Sequence, residues 1–241
     1  MDNLLQTLRF LEKYHLEVVR ESQLILVCQD SCPEIPTKFK SYKHINLSIK
    51  GMHLPYVTNV GVENAESEKL IILESDRVLP KGYFSTIIDR MSPGALYSPR
   101  QMVKLKRYVD DETIDAIQLS IDPRLAKYED RSTESEPGRR NAWSGNTAIM
   151  KSDYILAGKM DEAYKGYGWA DNDMTLAIEK SGVKINLVEN VTEIHMYHEL
   201  ETYGIHHDGF LKNGIYYCKK WNIPFPELLI QELEKKRKIL M

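Results

Sequence analysis

Cysteine is scarce in this chain: its 241 residues hold three, Cys28, Cys32 and Cys218. Three cysteines cannot build a disulfide framework, and Cys28 and Cys32 lack the further Cys or His ligands of a zinc finger. They read as buried or inert thiols of a reducing compartment. Long apolar runs are missing too, and the opening MDNLLQTLRF has no basic stretch leading into an apolar one. The expectation is a soluble, cytoplasmic protein without a membrane span or leader. Net charge is small, −3, which argues against a surface that is one large footprint for DNA while leaving room for a local basic groove. Glycine and proline are modest, 13 and 10 residues, and 42% of the chain is hydrophobic, so low complexity and global disorder are excluded.

What is present alternates. Leu4, Leu5, Leu8 and Leu11 recur at helical spacing. Gln23 to Cys28 is a short apolar run closed by Gln29-Asp30-Ser31, the pattern of a strand buried on both faces. Strands are also predicted over Lys43 to Ile49, Lys69 to Leu73 and Ala95 to Tyr97, with helices over Leu54 to Ala65 and Tyr83 to Met91. Glu129 to Arg140 (EDRSTESEPGRR) is too polar to pack and reads as a mobile loop. Patterning resumes with a strand at Thr147 to Met150, a helix from Asp171 to Lys180, and strands over Val183 to Val188 and Thr192 to Tyr197. Pro226 to Leu240 reads as an amphipathic helix with a basic end, Lys235-Lys236-Arg237-Lys238. It would either pack on its own domain or associate peripherally with an anionic membrane. The alternation predicts an α/β fold with a mostly parallel central sheet flanked by helices, one domain over 1–222 and the C-terminal helix over 223–241. Ligands of such sheets sit at the carboxyl ends of strands, which places Asp30 and Glu74 to Asp76 on one functional edge.

Three clusters carry chemistry. Glu74-Ser75-Asp76 ends a predicted strand, where carboxylates suit Mg²⁺ or Mn²⁺ or simply a solvated turn. Trp143-Ser144-Gly145-Asn146 is followed by Gly166-Tyr167-Gly168-Trp169-Ala170-Asp171-Asn172-Asp173-Met174. Gly145 permits close backbone approach to a ligand, and Asp171 at a helix start is either a cap or a general base. Finally, His195-Met196-Tyr197-His198 belongs to a segment of thirteen residues holding four of the seven histidines. On an extended strand His195 and His198 point to opposite faces, so one of them faces a metal or both are structural.

A carboxylate pair, a Gly-Asn turn, an acidic helix start and a later His, in that order, resemble the metal-dependent GT-A glycosyltransferases of the family 2-like group. The pattern is similar to polypeptide N-acetylgalactosaminyltransferases, chondroitin polymerase and β-1,4-galactosyltransferases, over Asn3 to about His198. Leu73 to Phe84 (LESDRVLPKGYF) resembles the family's strand, DxD-type motif, proline and helix. Gly158-Lys159-Met160-Asp161-Glu162 up to Trp169 resembles its GxxDExxxGWG stretch, and Asp171-Asn172-Asp173-Met174 its EDxDL motif. The resemblance implies the GT-A (nucleotide-diphospho-sugar transferase) fold and an inverting transfer from a nucleotide-diphosphate sugar, a UDP-sugar being the commonest donor. It implies Asp76 and His195 as ligands of Mn²⁺ or Mg²⁺, Glu74 near the ribose or the metal, and Asp171 as the base that deprotonates the acceptor hydroxyl. It places Gly145 and Asn146 against donor or acceptor, Trp143, Trp169, Asp173 and His198 toward the acceptor, and the 129–140 loop over the bound donor. Two departures accompany it. The family's first strand precedes the helix at Asn3, where this chain begins, and Ala170 stands where relatives carry Glu. They support an alternative, an inactive sugar-nucleotide-binding or partner-interaction module. A third reading, a metal-dependent nucleotidyltransferase, lacks a Gly-rich loop with basic residues after the first strand.

Overall fold

The computed structural model describes residues 2–29, 35, 38–119, 124, 126–130, 142, 143, 145–199, 208–225, 230 and 231. The elements in chain order are α1 (Asp2–Tyr14), α2 (Leu16–Glu21), β1 (Gln23–Cys28), β2 (Ser41–Asn46), α3 (Leu54–Asn64), β3 (Lys69–Leu73), β4 (Arg77–Val78) and α4 (Tyr83–Arg90). They continue with β5 (Ala95–Leu105), α5 (Asp111–Leu119), β6 (Ala126–Asp130), β7 (Asn146–Met150), α6 (Lys151–Leu156), α7 (Ala170–Lys180), β8 (Lys184–His195) and α8 (Asp208–Trp221). The α/β class expected from alternating apolar runs is therefore the one found.

Strand direction departs from expectation. The main sheet runs β3-β7-β5-β8-β4, with β6 pairing Gln101 to Leu105 of β5 off this path, and within it only β5 and β8 pair in parallel. β1 and β2 form a separate parallel pair. The sheet is thus mixed rather than mostly parallel, because its direction is set by which distant strands meet and not by the apolar run within each. Two further corrections concern length. β5 extends to Leu105 rather than stopping at Tyr97, with Pro99 accommodated at a register irregularity between Pro99 and Gln101. The same irregularity absorbs Glu189 and Asn190, so the two strands predicted over 183–197 form one, β8. Glu129 and Asp130, assigned to the loop, end β6, and the rest of that loop lies outside the described residues. So do Asp30 and almost all of the predicted C-terminal helix.

Three cores cover the main sheet; one packs Val78, Val103, Leu105, Ala126 and Ile194 against Phe10 of α1 and Ile114 and Ile117 of α5, and side chains divide between the other two by strand alternation. Ile71 and Leu73 of β3, Ala148 of β7 and Tyr97 of β5 face a core with Leu8 and Leu11 of α1 and Phe84 and Ile87 of α4. Leu70 and Ile72, Ile149 and Leu96 face the other way, against Val62 of α3, Tyr154 of α6, and Met174 and Ile178 of α7. Leu24 and Leu26 of β1 join the core of Leu8 and Leu11, yet every residue of β1 is only half-buried. The apolar run that predicts a strand covered on both faces lies instead in a two-stranded sheet. Among the described residues no helix is long and apolar enough to cross a membrane.

Candidate active site and metal centre

β4 is two residues long, and its antiparallel pairing with the end of β8 builds the site: Arg77 lies opposite His195, and Val78 opposite Ile194. The Met196 N–H donates to the Asp76 carbonyl at 2.8 Å, continuing the pairing one step beyond the strands. The start of α1 holds both segments, with Thr7 Oγ1 donating to the Ser75 carbonyl (3.0 Å) and Asn3 Nδ2 to the Tyr197 carbonyl (3.1 Å). Asp76 is thereby set against His195, with Oδ2 at 2.9 Å from His195 Nε2 and 3.4 Å from His198 Nε2. The two imidazole nitrogens are 3.3 Å apart.

One atom from each of Asp76, His195 and His198 lies within 4.8 Å of the others, a group able to hold a metal ion. His198 was expected at the acceptor, on the face opposite His195. Strand alternation does not reach His198, because β8 ends at His195 and beyond it the chain no longer keeps the strand's period. Burial opposes the charge of Asp76, but the hydrogen bond from His195 and the Arg77 guanidinium outweigh it and hold the carboxyl below its ordinary range.

Beneath the metal group is a buried cation that sequence reasoning did not find. Arg77 is 4% exposed. Its Nε donates to Glu74 Oε2 at 2.9 Å, Nη2 makes a second bond to the same oxygen, and Nη1 lies 3.7 Å from Glu193 Oε1. Burial works against the guanidinium's charge, but Glu74, Glu193 and Asp76 together raise its pKa above the usual value. Glu74, expected near ribose or metal, is therefore engaged with Arg77. Gly145 packs against the same group: its φ is +87°, and a Cβ there would meet Arg77 Cζ at 2.8 Å. The Gly145 carbonyl accepts the Glu74 N–H at 2.8 Å. Gly145 thus allows a close approach, as its sequence context suggested, but the group approaching is the guanidinium. Asn146 starts β7 opposite Leu73 and is fully buried.

Asp171 is half-buried in the first turn of α7. Thr175 Oγ1 donates to the Asp171 carbonyl (2.8 Å) and accepts the N–H groups of Ala142 (3.1 Å) and Trp143 (3.2 Å), tying that turn to the segment before β7. Asp173, expected at the acceptor, faces elsewhere and is 2% exposed. It accepts hydrogen bonds from Tyr164 (2.9 Å), Trp221 Nε1 (2.7 Å) and Lys220 (2.8 Å), which fasten α8 to α7. Both tryptophans lie in cores rather than in an open cleft. Trp143 stacks on Tyr154 and Trp169 packs between Phe210 and Tyr217.

No protein-family model matches the chain, and no curated protein matches it by sequence. Solved structures do. GalNAc-T7, crystallised with UDP, GalNAc and Mn²⁺, superposes with a TM-score of 0.61 at 17% identity over 98% of this chain and 51% of that one. S. aureus TarS superposes with a TM-score of 0.59 at 14% identity over 96% of this chain and 40% of that one. The chain thus spans about half the length of the first and two fifths of the second. At these identities the likeness establishes the architecture, and the chain has the GT-A glycosyltransferase fold.

Proposed function

We propose that this chain catalyses the metal-dependent, inverting transfer of a sugar from a nucleotide-diphosphate sugar, UDP-linked, to an acceptor hydroxyl. The observation that carries the reading is the convergence of Asp76, His195 and His198 on one point. A carboxylate oxygen with two imidazole nitrogens suits Mn²⁺ better than Mg²⁺, which prefers oxygen alone. Three protein ligands also leave coordination positions for diphosphate oxygens and water. A cation bound there supplies positive charge that neutralises the leaving diphosphate. Asp76 would present Oδ2 to that ion, with His195 and His198 completing the protein's share.

Asp171 is assigned as the general base. It takes the proton from the acceptor hydroxyl as that oxygen attacks the anomeric carbon on the face opposite the diphosphate, which inverts the anomeric configuration. Thr175 supports this role by anchoring the first turn of α7 to the Ala142-Trp143 segment. GalNAc-T7, which shares the fold, was crystallised with UDP and Mn²⁺, and this supports a UDP-linked donor here.

The experiment supplies UDP-sugars with Mn²⁺ and an acceptor panel, and reads UDP release and the anomer of the product. The wild type is expected to give the inverted anomer. Asp171→Asn is expected to lose about a hundredfold or more in turnover while keeping donor binding. Turnover that survives Asp171→Asn contradicts the assigned base.

A second reading, a binding module without turnover, is favoured by Trp143 and Trp169 both being buried, which leaves neither as a stacking platform for a sugar. Ala170, which offers no carboxylate beside Asp171, favours it too. Metal-dependent donor binding with no UDP release across the panel would select that reading.

A further inference from the structure

The two oxygens of Asp76 face different partners. Oδ2 lies against His195 and His198, whereas Oδ1 is buried 3.2 Å from Arg77 Nε. Arg77 is itself held from three further sides, by Glu74, by Glu193 and by the Met102 sulfur at 3.0 Å from Nη1. Glu193 is 0% exposed, so this charged group is built into the sheet rather than laid on its surface. Gly145 closes the remaining side, where any larger residue would push on the guanidinium.

Such an arrangement matters to a cation arriving at the histidines. With Oδ1 turned toward a fixed positive charge, Asp76 can offer one oxygen but not two. Mn²⁺ and Mg²⁺ take six ligands in near-octahedral order and accept a single carboxylate oxygen, whereas Ca²⁺ takes six to eight and gains from bidentate carboxylates. Glu74 and Glu193 more than offset the single charge of the guanidinium, so it orients Asp76 without leaving the site positive overall. We propose that Arg77 is a positioning residue that holds Asp76 to one-oxygen ligation and so makes the site select Mn²⁺ over Ca²⁺. This rests on the metal centre proposed above and adds to it a second determinant of ion choice, beside the two imidazoles. The signal lies in a buried arginine directly after the acidic pair and a glutamate two residues before His195, which only the pairing of β4 with β8 brings together.

The test is calorimetric titration of the full chain with Mn²⁺ and with Ca²⁺, alongside melting temperatures. Arg77→Met is combined with Glu193→Met so that neither buried charge is left alone. The wild type is expected to bind Mn²⁺ more tightly than Ca²⁺, and the double variant to narrow that ratio by about tenfold or more, chiefly through tighter Ca²⁺. Arg77→Lys, which keeps the charge but loses the planar fork, is expected to fall between them, at least about threefold below the wild-type ratio. A folded double variant with the wild-type ratio overturns the proposal. If the double variant does not fold, an unchanged ratio in Arg77→Lys overturns it equally. A wild type that binds neither ion removes the metal centre itself, whereas one that binds Mn²⁺ while the variants keep its ratio removes only the role of Arg77.

Discussion

Asp76 and His195 are 119 residues apart in the chain and 2.9 Å apart in the fold. The contact is a consequence of backbone pairing, since Arg77 and Val78 form a ladder with His195 and Ile194. His198, beyond the end of the strand, comes within 3.4 Å of the same carboxylate. Removing either imidazole would therefore remove a ligand from the proposed three-ligand set. His195→Ala and His198→Ala are each expected to weaken Mn²⁺ binding by about tenfold or more. Calorimetry or Mn²⁺ spin resonance reads the loss, and wild-type affinity in His198→Ala would return that residue to the acceptor role its position in the sequence suggested.

Gly145 occupies a backbone conformation, φ +87°, that side chains rarely adopt, and faces Arg77 at a distance no Cβ tolerates. Gly145→Ala should therefore cost stability from both strain and displacement of the guanidinium, about 2–4 kcal/mol in urea unfolding. A variant as stable as the wild type would show that the loop can move away from Arg77 freely.

Lys220 joins Asp173 at the start of α7 and Asp161 in the loop before it, each at 2.8 Å. Burial lowers the lysine's pKa, but both carboxylates together raise it above the usual value, so the ammonium is held charged. Lys220→Met leaves a nearly inaccessible carboxylate without that cation and is expected to destabilise the fold by about 2 kcal/mol. Mn²⁺ binding at the proposed Asp76 site should change little, and a loss of Mn²⁺ affinity in this variant would contradict the separation of the two networks.

His15 stacks on Phe84 with ring centroids 4.5 Å apart and is 5% exposed. Burial pushes its pKa down from 6.5 to about 4, against a smaller upward effect of its hydrogen bond to the Leu79 backbone. The folded chain thus holds a neutral imidazole that the unfolded chain protonates below pH 6.5. Its contribution is fully present above that pH and is lost as pH falls toward about 4, amounting at most to about 3 kcal/mol. Chemical denaturation across pH 4–7 should show the decline, and His15→Gln should remove that share of it. An equal decline in the variant would assign the acid sensitivity to other groups.

The chain alone discloses its local elements well, because each has its own periodicity. β1, β3, α3 and α7 begin and end within a residue of the positions their apolar spacing implies. Strand direction does not follow from such runs, since Lys69 to Leu73 reads the same whether β7 meets it parallel or antiparallel. Pro99 and the polar Glu189-Asn190 conceal two long strands because each interrupts a run at the point where the sheet itself is irregular. In the site, the acidic pair at a strand end and the clustered histidines are legible, and the fold brings Asp76 and His195 together. Arg77 and Glu193 are not legible, because a charge within a strand carries no local mark of being buried with a distant partner. Trp143, Trp169 and Asp173 show the converse, for residue types common in sugar sites serve here to fasten cores and helices.

The most direct test is calorimetric binding of UDP and a panel of UDP-sugars, with Mn²⁺ and with chelator, to the wild type and Asp76→Ala. UDP and one UDP-sugar are expected to bind only with Mn²⁺, and both to be lost in Asp76→Ala. A folded wild type that binds none of them, or binds them equally with chelator and in Asp76→Ala, would contradict a metal-dependent nucleotide-sugar site at Asp76, His195 and His198.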